Sequence, residues 1–71
     1  MKMKAYAPMG GTVWKIQVGE GDLVNKGDAL IILESMKMEI PVEAPLDGKV
    51  SKINVQEGDF VQENDVVVEM E

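Results

Sequence analysis

Most of the chain consists of short segments in which apolar and polar residues alternate, separated by turn sequences rich in Gly, Asn and Asp. Alternation with a period of two is typical of half-buried strands. Val and Ile together number fifteen, against eight for Leu and Ala, which also favours strands over helices. We therefore predict an all-β fold, with strands at Lys2–Ala7, Gly11–Val18, Leu23–Val24, Ala29–Ser35, Met38–Val42, Gly48–Val55, Phe60–Val61 and Val66–Met70.

The sequence aligns on itself without a gap at a constant offset of 37 residues. Ala7–Val13 aligns with Ala44–Val50, and Glu20–Asp22 aligns with Glu57–Asp59. Two copies are too few for a solenoid, so we expect two halves that close on each other about a pseudo-two-fold axis and share one core. Equivalent residues are expected to match in burial and mostly to lie in that core, the test pairs being Val13 and Val50, Ile16 and Ile53, and Val18 and Val55.

The repeat also predicts local features of the backbone. The apolar spacing breaks simple alternation in both long strands, which indicates β-bulges at Trp14–Lys15 and Ser51–Lys52. Gly27 aligns with Asn64, and because these residue types tolerate a left-handed backbone best, we expect positive φ at both. The single tryptophan, Trp14, has no aromatic residue at its aligned position, and we interpret it as a partly exposed packing residue.

Composition and charge limit the classes of function. Seven Lys, no Arg and thirteen acidic residues give a net charge of −6, the wrong sign for binding nucleic acid. His and Cys are absent, which removes the usual general base, the usual metal ligands and every Ser-His or Cys-His nucleophile. We therefore expect no metal site, no catalytic residue and no independent enzymatic activity.

Length and hydropathy suggest a single small domain over residues 1–71. The longest apolar run, Ala29–Leu33, is far shorter than the ~20 residues that a membrane helix needs. The first six residues carry charges but are followed by no apolar stretch, unlike a secretory or transit peptide. We expect a soluble, cytoplasmic protein without membrane contact.

The segment between the two repeats has an unusual tip. It must form a hairpin, whose turn should be polar and rich in Gly or Asn, yet Met36 and Met38 flank Lys37 there. An isolated Met is often flexible filler of a core. A tip at the end of a short barrel has little core beneath it, so we expect both Met side chains to be exposed.

The pentapeptide Glu34-Ser35-Met36-Lys37-Met38, set between two copies of Ala-Pro…Gly…Val…Glu-Gly-Asp, resembles the biotinyl domain of biotin-dependent carboxylases over nearly the whole chain. Ser35 stands where that family usually has Ala. The resemblance implies a flattened β-barrel, or barrel-sandwich hybrid, of two four-stranded antiparallel sheets with internal pseudo-two-fold symmetry. It also implies a modified lysine opposite the termini. The connection at Gly19–Asp22 is too short for the thumb that some members insert.

The resemblance also implies roles for residues and partners. Biotin is expected to be attached covalently to Lys37, and the domain is expected to carry a carboxyl group from biotin carboxylase to carboxyltransferase. It would be a non-catalytic carrier, monomeric in isolation and modified by a biotin protein ligase. The residues implied in recognition by the ligase and the partner enzymes are Glu34, Ser35, Met36, Met38 and Glu39.

Other hypotheses remain open on the sequence alone. Lipoyl carrier domains of 2-oxo acid dehydrogenase-type complexes resemble the same fold with the same central lysine, but they typically have Asp before it and Ala after it. A small carrier that accepts both groups is a further alternative. The last is an unmodified interaction domain in which Lys37 is a solvated tip residue.

Overall fold

The computed structural model describes residues 3–71, which form eight strands. The strands are β1 (Met3–Tyr6), β2 (Gly11–Ile16), β3 (Leu23–Val24), β4 (Ala29–Ser35), β5 (Met38–Glu43), β6 (Gly48–Ile53), β7 (Phe60–Val61) and β8 (Val66–Met70). They build two four-stranded antiparallel sheets, ordered β1-β8-β6-β3 and β5-β4-β2-β7. The predicted all-β barrel of two such sheets is confirmed. Within residues 3–71, the structure contains no helix that could cross a membrane.

The 37-residue repeat relates the two sheets to each other. Moving each strand of the first half by this offset places β1 on β5, β2 on β6, β3 on β7 and β4 on β8. The same exchange turns the order of the first sheet into the order of the second. Each sheet therefore contains strands from both halves of the chain, and neither half contains a complete sheet of its own.

The core shows the same symmetry residue by residue. Fourteen hydrophobic residues are buried among those described, and all of them fall into seven pairs separated by 37 positions. The symmetric burial of apolar side chains confirms the repeat as the basis of the fold. The pairs are Ala5 and Val42, Ala7 and Ala44, Val13 and Val50, Val24 and Val61, Leu30 and Val67, Ile31 and Val68, and Leu33 and Met70.

Of the three pairs chosen as tests, only Val13 and Val50 are fully buried. The other two pairs, Ile16 with Ile53 and Val18 with Val55, also match in burial, but they are half-buried and pack at the margin of the core. The expectation that most of these residues lie in the core was therefore wrong. Val18 and Val55 lie beyond the ends of β2 and β6, where the chain leaves the sheets.

The predicted strand bounds differ from the structure mainly at strand ends. β2 and β6 end two residues earlier than predicted, β1 ends one residue earlier, and β5 ends one residue later. The predicted start of the first strand, Lys2, lies outside the described residues. After β2, the Gln17 N–H still donates to the Leu30 carbonyl at 2.9 Å, and the chain then turns. Alternation of residue types therefore continues slightly beyond the paired backbone.

Both predicted β-bulges are present. The register between β2 and β4 shifts between Val13 and Lys15, so that Trp14 and Lys15 together oppose Ile32. The register between β6 and β8 shifts at the equivalent position, between Val50 and Lys52. Trp14 is 45% exposed, which agrees with a partly exposed packing residue.

The tight turns repeat in the same way. Positive φ occurs at Gly27 (92°) and Asn64 (73°), as predicted, and also at the equivalent Gly21 (95°) and Gly58 (96°). An aspartate closes each turn by accepting a backbone N–H from the residue three positions earlier, a role typical of Asp in turns. The four bonds run from Gly19 to Asp22 (2.8 Å), Asn25 to Asp28 (2.9 Å), Gln56 to Asp59 (2.9 Å) and Gln62 to Asp65 (2.8 Å).

The symmetry of the core predicts matched losses of stability. Leu33 and Met70 occupy equivalent, fully buried sites. Leu33→Ala and Met70→Ala should each lower the free energy of unfolding by about 2–5 kcal/mol. Urea unfolding followed by circular dichroism measures both values. A near-zero effect of either substitution would contradict the shared core.

Candidate functional site

The hairpin that joins β4 to β5 lies at one end of the barrel. At the opposite end, the Ala44 N–H donates to the Asp28 carbonyl at 2.8 Å, just before β4 begins. Four residues beyond Ala44, Gly48 lies against the backbone of Glu71. The seven residues of β4 span about 23 Å from that end to the hairpin. The hairpin is therefore remote from Glu71, as expected, whereas Met1 lies outside the described residues.

The hairpin tip consists of two residues in a left-handed conformation. Ser35 and Met38 form the last pair of the ladder, which leaves only Met36 (φ 53°) and Lys37 (φ 64°) in the turn. Positive φ at both central residues is the pattern of a type I′ turn, which Asn and Gly usually occupy. For other residues this conformation costs roughly 1–2 kcal/mol each. The tip is therefore strained, and the strain falls on the residues that the sequence singled out.

Sequence reasoning identified these residues but did not predict their strain. The signal was present, because the predicted strands end at Ser35 and resume at Met38, and a two-residue hairpin favours turns with positive φ. Among the lysines that the structure describes, only Lys37 has positive φ, although the others are exposed too. Exposure therefore does not distinguish Lys37 from the other lysines, but the shape of its backbone does.

The side chains at the tip point into solvent. Met36 is 89% exposed and Met38 is 64% exposed, while Lys37 is exposed between them. Exposed methionines at such fractions contribute little to a core, which excludes the core-filler interpretation for both. The tip offers a primary amine flanked by two flexible apolar side chains that a partner protein can contact.

Two of the other predicted recognition residues face each other across the hairpin. Glu34 on β4 and Glu39 on β5 are direct cross-strand partners, and both are exposed. Like charges in this position destabilise a sheet by about 0.2–1 kcal/mol. Ser35 is half-buried beside them. The structure thus brings all six predicted site residues together at the hairpin.

A glycine that was not predicted as a site residue fixes the base of the hairpin. A Cβ atom on Gly11 would lie 2.8 Å from the Glu34 carbonyl oxygen, a distance that real side chains essentially never reach. β2 therefore approaches β4 this closely because Gly11 has no side chain. Gly48 makes the same approach to the Glu71 carbonyl oxygen, so the feature was encoded in the repeat.

The chemistry available at the tip is acylation of an amine. Lys37 presents a primary amine on a defined turn, which fits covalent attachment of a carboxylic acid such as biotin through an amide bond. Residues 3–71 contain no group of three His, Cys, Asp or Glu side chains that could hold a metal ion. The connection at Gly19–Asp22 is a closed four-residue turn without a thumb.

Comparisons with known proteins agree with this geometry. The chain is 50% identical over 40 residues to a biotin/lipoyl attachment protein of Bacillus subtilis, which covers 56% of this chain and 55% of the relative. It is 61% identical over 31 residues to the biotinylated protein TB7.3 homolog of Mycobacterium leprae, which covers 44% of each chain. The matched region thus spans about half the length of these curated relatives.

The fold is also found inside a much larger protein. The crystal structure of the Kluyveromyces lactis urea carboxylase superposes with a TM-score of 0.93 at 38% identity, covering 99% of this chain and 6% of that chain. The model of the biotin/lipoyl family, described as biotin-requiring enzyme, matches residues 1–70. With its repeated halves, shared core and exposed Met-Lys-Met tip, the chain belongs to the biotin/lipoyl family of biotin-requiring enzymes.

Proposed function

We propose that residues 1–71 form a single biotin carboxyl carrier domain in which biotin is joined covalently to Lys37. The carrier takes a carboxyl group from a biotin carboxylase to a carboxyltransferase. The observation that carries this proposal is the position of Lys37 at the apex of a strained two-residue turn between exposed Met36 and Met38. A structural turn would be expected to hold Asn or Gly here, because they adopt this conformation with least strain.

The chain contributes the acceptor amine for its own modification. The Lys37 Nζ loses a proton and forms an amide bond with the biotin carboxyl carbon, and adenylate leaves when a biotin protein ligase has activated that carboxyl group. Deprotonation and activation fall to the ligase. Once attached, biotin supplies the ring nitrogen that takes up and releases the carboxyl group.

The strained, rigid turn favours binding of the tip by the ligase and the carboxylase. A turn held in one conformation by the strands on either side loses little conformational freedom when a ligase or carboxylase binds it. Gly11 supports this rigidity, because its close approach holds β2 against the backbone of Glu34. The exposed faces of Met36 and Met38 then provide apolar contact on both sides of the amine.

The partners follow from the same proposal. The ligase and the two partner enzymes recognise Glu34, Ser35, Met36, Met38 and Glu39. The domain is non-catalytic, monomeric in isolation and cytoplasmic. Support for the non-catalytic role comes from the relatives, since a domain of this fold forms 6% of the urea carboxylase chain of Kluyveromyces lactis. In such an arrangement the catalytic groups lie elsewhere in the assembly.

A second candidate function is carriage of a lipoyl group, alone or in addition to biotin. It is favoured by the similarity to a Bacillus subtilis relative named biotin/lipoyl attachment protein. Met36 and Met38 argue against it, because lipoyl domains typically have Asp and Ala at these positions. The same lysine would be modified, so the mass of the attached group distinguishes the two functions.

Lys37→Arg should abolish modification. The purified protein, incubated with a biotin protein ligase, ATP and biotin, should gain one biotinyl group, measured by intact mass, and the variant should gain none. Lys26→Arg, which changes an exposed turn lysine, serves as the matched control and should be labelled fully. Labelling of the Lys37→Arg variant would refute the assignment, and labelling by a lipoate ligase with lipoate and ATP would support the second candidate.

Met36→Ala and Met38→Ala should affect recognition without affecting stability. Because both side chains are exposed, each free energy of unfolding should change by no more than about 0.5 kcal/mol. The kcat/KM of biotinylation should fall for both variants, since the ligase loses apolar contact. A loss of stability of about 2–5 kcal/mol, as expected for a buried Met, would instead show that these residues support the core.

A further inference from the structure

Met36 and Met38 stand out among the methionines by their exposure. Their exposed fractions are 89% and 64%, against 39% for Met9 and 0% for Met70. Because Met3 is half-buried, the two most exposed thioethers that the structure describes lie directly on either side of a single lysine.

Thioethers are the groups of this chain that a hydroperoxide oxidises most readily, because Cys is absent. The sulfur lone pair attacks one oxygen of hydrogen peroxide, an S–O bond forms as the O–O bond breaks, and the second oxygen leaves as water. Sulfur loses two electrons, the peroxide gains them, and both hydrogens of the peroxide end in the water. An exposed Met can therefore become a sulfoxide without any other group of the protein taking part.

The fold protects the methionines that contribute to its stability. Met70 is fully buried in the core, and Met3 packs against the core. Met36 and Met38 lie in and beside the two-residue turn, beyond Leu33, which is the last buried residue of β4. Oxidation at the tip therefore leaves the core unchanged, and the domain stays folded.

A sulfoxide at the tip changes what a partner protein must accommodate. Oxidation converts a flexible apolar side chain into a polar and chiral one. A surface that covers Met36 or Met38 through apolar contact would have to bury the sulfoxide oxygen without a hydrogen-bond donor. An unsatisfied polar group in such a contact weakens binding by about tenfold or more.

Apolar contact alone does not require sulfur. Leu23 and Phe60 are 82% and 70% exposed, and dilute peroxide leaves their side chains unchanged. At the hairpin tip, by contrast, both exposed apolar side chains are thioethers. The tip therefore combines apolar contact with a group whose polarity an oxidant changes.

We propose that Met36 and Met38 are sites of reversible oxidation, and that their sulfoxides stop a biotin protein ligase from accepting Lys37. The proposal rests on the carrier function above and concerns the domain before biotin is attached. The oxidant is a hydroperoxide. Methionine sulfoxide reductases reverse the step, because two thiols supply two electrons, the sulfoxide oxygen leaves as water and a disulfide forms. Oxidation thus holds the domain folded but unlabelled.

The first measurement is the order of oxidation in the folded, unmodified domain. Trypsin cleaves after Lys37 and so places Met36 and Met38 in separate peptides. After brief treatment with dilute hydrogen peroxide, mass spectrometry should find added oxygen first on Met36 and then on Met38, with Met9 slower and Met70 unchanged. Catalase removes the peroxide before biotin is added, because biotin contains a thioether of its own.

The second measurement is the rate at which the oxidised domain is labelled. With a biotin protein ligase, ATP and biotin, kcat/KM should fall about tenfold or more as the sulfoxide content of Met36 and Met38 rises. The midpoint of urea unfolding should stay the same. Treatment with reductases for both sulfoxide epimers and a dithiol should restore kcat/KM.

A pair of variants assigns the effect to the tip. Met36→Leu with Met38→Leu removes both thioethers and keeps apolar side chains, and Met9→Leu is the matched control. The quantity compared is the ratio of kcat/KM after peroxide to kcat/KM before it, which does not depend on the starting rate of a variant. The ratio should stay near one for the double variant and should fall in the control as it does in the parent.

The untreated parent separates this inference from the carrier function. Failure of the untreated parent to be labelled on Lys37 would overturn the proposed function. Normal labelling of the parent, with kcat/KM unchanged after complete oxidation of Met36 and Met38, would overturn the oxidation proposal alone. Equal peroxide ratios for the double variant and the parent would do the same. If the ligase does not label the double variant at all, the repair experiment decides, and labelling that the reductases fail to restore would contradict the proposal.

Discussion

The burial of seven symmetric pairs of apolar residues in one core is the constraint on which the rest of the structure depends. Because each sheet takes strands from both halves, neither half can bury its apolar residues without the other. With 71 residues and no cysteine, the domain has no disulfide to support a looser arrangement. The chain must therefore pass from one half to the other through a connection that does not disturb either sheet.

That connection is the hairpin between β4 and β5, and its shortness explains the shape of the site. The strands are held in register by the core up to Leu33 and Ile40, and the ladder continues to Ser35 and Met38. Only two residues remain, and both adopt a left-handed conformation. Such strain persists where the surrounding structure over-determines the backbone, and it is typical of functional sites. Stability gained in the core thus supports a strained tip that presents one amine.

Much of the fold could be predicted from the sequence because the chain contains each signal twice. The bulges at Trp14 and Ser51 and the positive φ at Gly27 and Asn64 follow from comparing the two copies. Strand ends were harder to predict, because apolar alternation continues through Val18, where the backbone is already leaving the sheet. The periodicity of apolar residues predicts which side chains face the core, but it does not predict where the last backbone hydrogen bond of a strand lies.

The candidate site likewise has features that could be predicted from the sequence and features that could not. Its residues could be identified from the sequence because Met-Lys-Met is anomalous for a turn. The strain at Met36 and Lys37 requires the register of the flanking strands, which fixes the number of residues left in the turn. The proximity of Trp14 to Ile32 was not predicted from the sequence, since these residues become neighbours only through the bulge between β2 and β4. Contacts between strands are set by topology, which single-strand patterns do not contain.

We propose that the conformation of the tip, and not its sequence alone, selects Lys37 for modification. The most direct measurement compares the kcat/KM of biotinylation for the folded domain with that for a linear peptide of residues 32–41. The peptide keeps every side chain of the tip but lacks the core that imposes the strained turn. We expect the peptide to be modified at least about a hundredfold less efficiently, a difference of about 2.8 kcal/mol. Equal efficiency for peptide and domain would contradict it.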